Sequence, residues 1–461
     1  MTAALLGLLL LGQPAPMPVI EWKLDELIAV NGARYRGLVL DQSDKGVRFR
    51  VVRRPPGRSA VTFTSFFLKH EVARIEKISD ADRAALKIKL AELDPTGSGE
   101  RKRMEGLELT AAEWLGAPNA AKRYDAEQFI LVSSASEEIT RRAAVRLEQI
   151  FIAYGRFLPP RVRPAADKPL TVYLAPDKTE YAKLLVGLNG PILNPAIYDP
   201  VRNRITCGTD LRRLGQDLTA ARVHNVQQLA TIDQYEADVR RLYKDSRTER
   251  DRHLATVAEQ RKKIWDVEAA NETKFNETTA RLFALLYHES FHAYVTTFVY
   301  PPMPPADVKA GKGTGELPRW LNEGLAQIFE TAILDGGELR VGHADRDRLQ
   351  RFRDLRAKGG VPAVAELNRV GGESFLASHT VQKAMADRMY LGAWAVAYHL
   401  VFERRLFGTP ELDRYLTTIN SGGDPGPAFQ KLVGKTLAEY DAELADYFQR
   451  LRPDGTLEAT K

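Results

Sequence analysis

Residues 282–299 read LFALLYHESFHAYVTTFV. Apolar residues dominate the stretch, and neither Gly nor Pro interrupts it. It therefore predicts a helix buried on most of its faces. Into this setting it places His288, Glu289 and His292, in the order HESFH. Residues four apart lie on one helix face, so both imidazoles reach a common point. Two histidines and a glutamate are costly on a buried face unless they have partners. Zn2+ is the partner that an HExxH spacing serves. The histidines bind the ion, and Glu289 takes a proton from the water that attacks a carbonyl. A purely structural histidine pair needs no Glu289.

A catalytic zinc site takes a third protein ligand and keeps a position open. Downstream, residues 317–330 read LPRWLNEGLAQIFE. Pro318 suits a first helical turn, and the helix it opens carries two carboxylates, Glu323 and Glu330. Gly324 predicts a close approach to the HExxH helix. The intervening PPMPPADVKAGKGTGE, residues 301–316, reads as a connector, with a lid over a cleft as the alternative.

An HExxH helix followed by PRWLNEGLA resembles the gluzincin clan, the peptidase-MA-like superfamily of thermolysin-like and zinc-aminopeptidase enzymes. Within the clan it is similar to a family of uncharacterised bacterial proteins. The resemblance runs from Gln128 to Tyr447. It takes in FILVSS ahead of a helix, LTVYL followed by Asp177 to Tyr181, the IYDPVRNRI hairpin, and a helix from Tyr390 to Leu400. It implies an α+β, zincin-like domain whose mostly antiparallel sheet precedes the active-site helix, and an enzyme that hydrolyses peptide bonds with zinc. It gives the third ligand to Glu323, since Glu330 does not match the motif position. Asn322 beside it reads as a residue that orients a histidine ligand, and Glu330 as another such residue or a glutamate facing solvent. The resemblance looks to a downstream Tyr or His for the oxyanion donor: Tyr390 first, His399 next, either of which serves equally well as a packed core residue. The aminopeptidase GxMEN motif is absent, which disfavours N-terminal trimming.

Working outward, the chain divides into five parts. Residues 1–17, with the apolar run AALLGLLLLG, read as a signal peptide and predict export to the periplasm or the medium. Residues 20–79 hold five strand-like segments, at 27–30, 33–40, 46–52, 60–66 and 72–78. They predict a small SH3-like β-barrel, its first turn a type I′ hairpin at Asn31-Gly32. Residues 80–122 read as a helical and polar linker. The peptidase domain fills 123–461, with strands at 129–132, 170–174 and 196–207 and a helix capped by Ser134 and Glu137. Between Gly215 and Pro301 there is no Gly or Pro, so 211–276 predicts a helical hairpin inserted into that domain.

Composition excludes several classes. The 461 residues are 44% hydrophobic and 27% charged, with a formal net charge of +6. No dense basic block marks a nucleic-acid arm. Cys207 is the single cysteine, so neither an intramolecular disulfide nor a cysteine-based zinc cluster forms. No apolar stretch is long enough for a transmembrane span. The partners expected are a peptide or protein substrate, and a protein docked on the helical insertion or the β module. The rival to catalysis is a zinc-binding scaffold on a peptidase fold, acting through those same two parts.

Overall fold

A computed structural model describes residues 22–458, apart from 55–59, 94–97, 164–167, 187–194, 209, 311–314, 332, 336–337, 341–343, 370–382 and 454. The expected signal peptide lies outside the described residues. The fold is α+β. Among the described residues no helix is long and apolar enough to cross a membrane.

The first sheet contains β1 (Asp25–Ala29), β2 (Arg34–Gln42), β3 (Gly46–Arg53), β4 (Val61–Leu68) and β5 (Val72–Glu76), close to the expected segments. The order is β4-β3-β2-β1-β5, all antiparallel. No ladder joins β4 to β5 among the described residues, so the sheet stays open where a closed barrel was expected. The first turn also differs. Only Gly32 has a positive φ, +82°, and Asn31 Oδ1 accepts from the Ala33 amide, so it is not the type I′ turn, which needs two positive φ values.

One face of this sheet buries Leu27, Val39, Val47, Phe49 and Val51. The other is covered by helix α1 (Asp80–Glu92), whose Leu86 and Leu90 pack on Trp22, Leu38 and Val52. Buried Asp25 ties the two together: it accepts from the Val39 and Ile78 amides and pairs with Arg83 at 2.6 Å. The stretch expected to be a linker is thus structured. Its start completes the β module, and after α2 (Ser98–Glu105) its end forms β6 (Thr110–Trp114) and β7 (Ala117–Asp125) of the second sheet.

That sheet adds β8 (Ile130–Ser133), β9 (Thr171–Ala175), β10 (Ala196–Asp199) and β11 (Arg204–Gly208), in the order β10-β11-β9-β8-β7-β6. It is mixed, with three antiparallel ladders and two parallel ones that join β8, β9 and β11. Helix α3 (Glu137–Phe157) crosses between β8 and β9, because parallel neighbours need a long return. Its cap is Ser136, accepting from Ile139 N. Ser134 Oγ is instead engaged with Glu180.

After α4 (Lys178–Leu184) the chain enters the helical hairpin, α5 (Arg212–Leu242) and α6 (Arg247–Tyr294). Leu229, Ile232, Val257 and Ile264 form its seam, and Asn225 bonds Glu268 at 2.6 Å. No break separates the hairpin from the HExxH segment. At 1.5 Å per residue, the 48 residues of α6 make one rod of about 70 Å that carries His288 and His292 near its C-terminal end. It closes in a π-helical turn, Val295–Val299.

Short α7 (Pro305–Lys309) leads to α8 (Arg319–Glu330), then α9 (Arg346–Ala357), α10 (Val364–Leu367), α11 (Lys383–Tyr398), α12 (Pro410–Asn420), α13 (Pro425–Val433) and α14 (Leu437–Arg450). One large core joins α3, β8, β9, α6, α8, α11 and α14. Phe291 of α6 stacks on Phe329 of α8 at 4.5 Å. Gly324 faces α11, not the HExxH helix as expected. A Cβ there would stand 2.3 Å from Ala393 O and 2.7 Å from Ala397 Cβ.

Gly324→Ala should therefore destabilise the protein by about 1–3 kcal/mol or more, the cost of overpacking a close contact. Urea or thermal unfolding reads this directly. An unchanged midpoint would mean that α8 and α11 do not approach so closely.

Candidate metal centre

The apolar face of α6 and the buried face of α8 bring His288, His292 and Glu323 together, and all three side chains are nearly fully buried. His288 Nε2 and His292 Nε2 lie 3.1 Å apart. Glu323 Oε2 lies 3.4 Å from the first and 3.6 Å from the second. Tetrahedral ligands about 2.0–2.2 Å from one zinc ion are separated by roughly 3.3–3.6 Å. The three atoms thus form a triangle of the size that a single ion spans, and among the described residues they are a group able to hold a metal.

The outer partners fit the same purpose. His292 Nδ1 lies 3.0 Å from Asn322 Oδ1, as the Asn-Glu pattern implied. His288 Nδ1 lies 3.4 Å from Glu330 Oε2, which Arg348 holds from behind at 3.3 Å. Glu330 thus stands behind His288, outside the triangle. With each ring proton directed to its Nδ1 partner, both Nε2 lone pairs turn toward Glu323 Oε2. That oxygen is buried and has no hydrogen-bond partner.

The electrostatics agree. Burial works against a charge on His288, yet Glu323 and Glu330 outweigh it and push its pKa up to about 10. The acidic cluster demands positive charge at this point. Burial also disfavours ionised Glu323, but His292, His288 and Arg319 hold its pKa well below the usual carboxylate range. Its other oxygen, Oε1, is held by Arg319 at 2.6 Å.

Glu289 lies next to the ligands on α6. Burial raises its pKa, and the two imidazoles oppose the rise. Its Oε2 accepts from the Tyr198 amide at 2.8 Å. Tyr198 belongs to β10, the edge of the second sheet. Its hydroxyl and that of Thr297 both donate to Asn203 Oδ1, at 3.0 and 2.9 Å. The β10–β11 hairpin is thereby pinned to the π-helical turn that follows the ligands.

Tyr390 reaches α8 through its backbone, its carbonyl accepting from Gln327 Nε2 at 2.9 Å. His399 is a core residue. It is fully buried, its Nδ1 lies 2.9 Å from the Tyr440 hydroxyl, and burial pulls its pKa down to about 4. Arg319, Arg348 and the Tyr198 amide are participants that sequence reasoning passed over. Only Arg319 had a readable signal, its position four residues before Glu323 on one helix face.

A family model described as a protein of unknown function (DUF1570) matches residues 310–417. The match includes Arg319, Glu323, Glu330 and Tyr390 and begins after both histidines. No curated protein and no solved structure matches the chain.

Protein purified without added metal should carry about one ion per chain, as a single three-ligand site holds. His292→Ala and Glu323→Ala should lose it and still unfold cooperatively. Elemental analysis decides the point, and a full metal complement in His292→Ala would exclude the assignment.

Proposed function

We propose that this chain is a zinc-dependent peptidase of the gluzincin type, exported from the cell, with a zincin-like domain behind an SH3-like module. The observation that carries the reading is the triangle of His288, His292 and Glu323 with buried Glu289 beside it. Metal binding alone needs the triangle but not the fourth residue.

The ligand set, two imidazoles and one carboxylate, suits zinc. Zinc bound there supplies Lewis acidity, polarising a carbonyl and acidifying water. Glu289 takes the proton of the attacking water and later delivers it to the leaving amine. Burial makes its carboxylate a stronger base than one in water, and the Tyr198 amide fixes its orientation. That amide turns away from β11, so the open edge of β10 borders the general base. An extended peptide laid along this edge would present its carbonyl to the site as an added strand. Tyr390, on the helix packed against α8, is our candidate for the oxyanion donor.

The second reading is a zinc-binding scaffold that works through the hairpin. It draws on the apolar side chains exposed there, Trp265 at 60% and Leu242 at 71%.

Glu289→Gln separates the two. It should keep its metal and fold yet lose about 10²–10⁴-fold or more of its activity on casein or a quenched peptide library, the usual size of a general-base contribution. Equal cleavage by wild type and Glu289→Gln would end the peptidase reading.

A further inference from the structure

Arg319 occupies an unexpected place for its charge. It is the first residue of α8, where the helix dipole favours acidic side chains. It precedes its partner Glu323 by four residues, and the acid-first order is the one that better supports a helix. Helix stability therefore does not account for the pair. Its geometry does. The Glu323 side chain is only 2% exposed, and its two oxygens have separate neighbours. Oε1 is taken by Arg319 at 2.6 Å, while Oε2 faces both histidine Nε2 atoms without a hydrogen bond. A carboxylate free to rotate would present either oxygen, or both, to an ion.

We propose that Arg319 is a positioning residue for the metal centre. It holds Glu323 so that Oε2 alone is offered as a ligand. The proposal rests on the metal reading of His288, His292 and Glu323. The Arg319 guanidinium contacts the Glu323 oxygen that faces away from the histidines. It acts through Glu323, as outer partners of metal ligands commonly do, with effects on metal affinity of about 10–100-fold.

The test uses the full chain and zinc alone as the probe, in competition with a chelator of known affinity. Cobalt(II) absorption reports ligand geometry in parallel, and melting of the metal-free protein reports the fold. Arg319→Met should weaken zinc about 10–100-fold and change the cobalt spectrum in a variant whose metal-free form is less stable but still melts cooperatively. Arg319→Lys, which still presents a cation, should recover most of the affinity. Should Arg319→Met fail to fold, Arg319→Gln takes its place, with the same expected loss. Zinc affinity within twofold of wild type in the folded neutral variant, or a cobalt spectrum identical to wild type, overturns the proposal and leaves the metal site standing. Wild type that binds no zinc overturns both.

Discussion

The Glu323 carboxylate lies in the core with 2% of its side chain exposed. Burying an ionised carboxylate costs several kcal/mol even after the surroundings relax. The elements around it supply what that burial requires. From α6 come two imidazoles, 3.4 and 3.6 Å away. From the start of α8 comes the Arg319 guanidinium. Behind His288 stands a half-buried pair, Glu330 and Arg348. Next to Glu323, Gly324 lets α11 approach α8 at Ala393 and Ala397. The negative charge of Glu323 thus stands between the Arg319 guanidinium and the two histidine rings of α6.

Alpha helix α6 gives the site its second property. The hairpin and the two histidines of the triangle share one uninterrupted helix. Where that helix enters the body, Arg142 is buried between Glu138 and Glu100, and Arg222 of α5 also pairs with Glu138. Arg146 reaches Glu100 and Asn276 from the same helix, α3, and lies over Phe283. These contacts fasten the hairpin's root to α3, whose Tyr154 in turn bonds the carbonyl of Tyr287, next to His288. The histidines are therefore held from the root side as well as from α8.

The sequence disclosed what is local in period or motif. HESFH and LNEG lie on helices because their apolar spacing is helical, and Asn322 backs His292 because it precedes the ligand. The strands of the first sheet and β8 to β11 of the second fell close to their expected places, whereas β6 and β7 formed in the stretch expected to be a linker. What escaped depends on partners distant in the chain. Residues 80–92 look like a polar helix until Trp22 and Leu38 are seen to need cover. The openness of the first sheet is a matter of which edges meet, which strand patterns do not encode. Ser134 and Ser136 carry similar capping signals, and Glu180, far along the chain, claims the first. Gly324 announced a close approach but not whose. The continuity of α6 was visible in the absence of Gly and Pro from 216 to 300. Reading the polar and apolar halves as separate helices obscured it.

The central claim is that one zinc ion lies among His288 Nε2, His292 Nε2 and Glu323 Oε2. Zinc-edge X-ray absorption on the purified full chain tests it most directly, since it reports ligand type and distance at the ion itself. The account predicts four or five nitrogen and oxygen neighbours at about 2.0–2.2 Å, with the outer-shell scattering of two imidazoles. A shell of oxygen alone, or the scattering of fewer than two imidazoles, would contradict it.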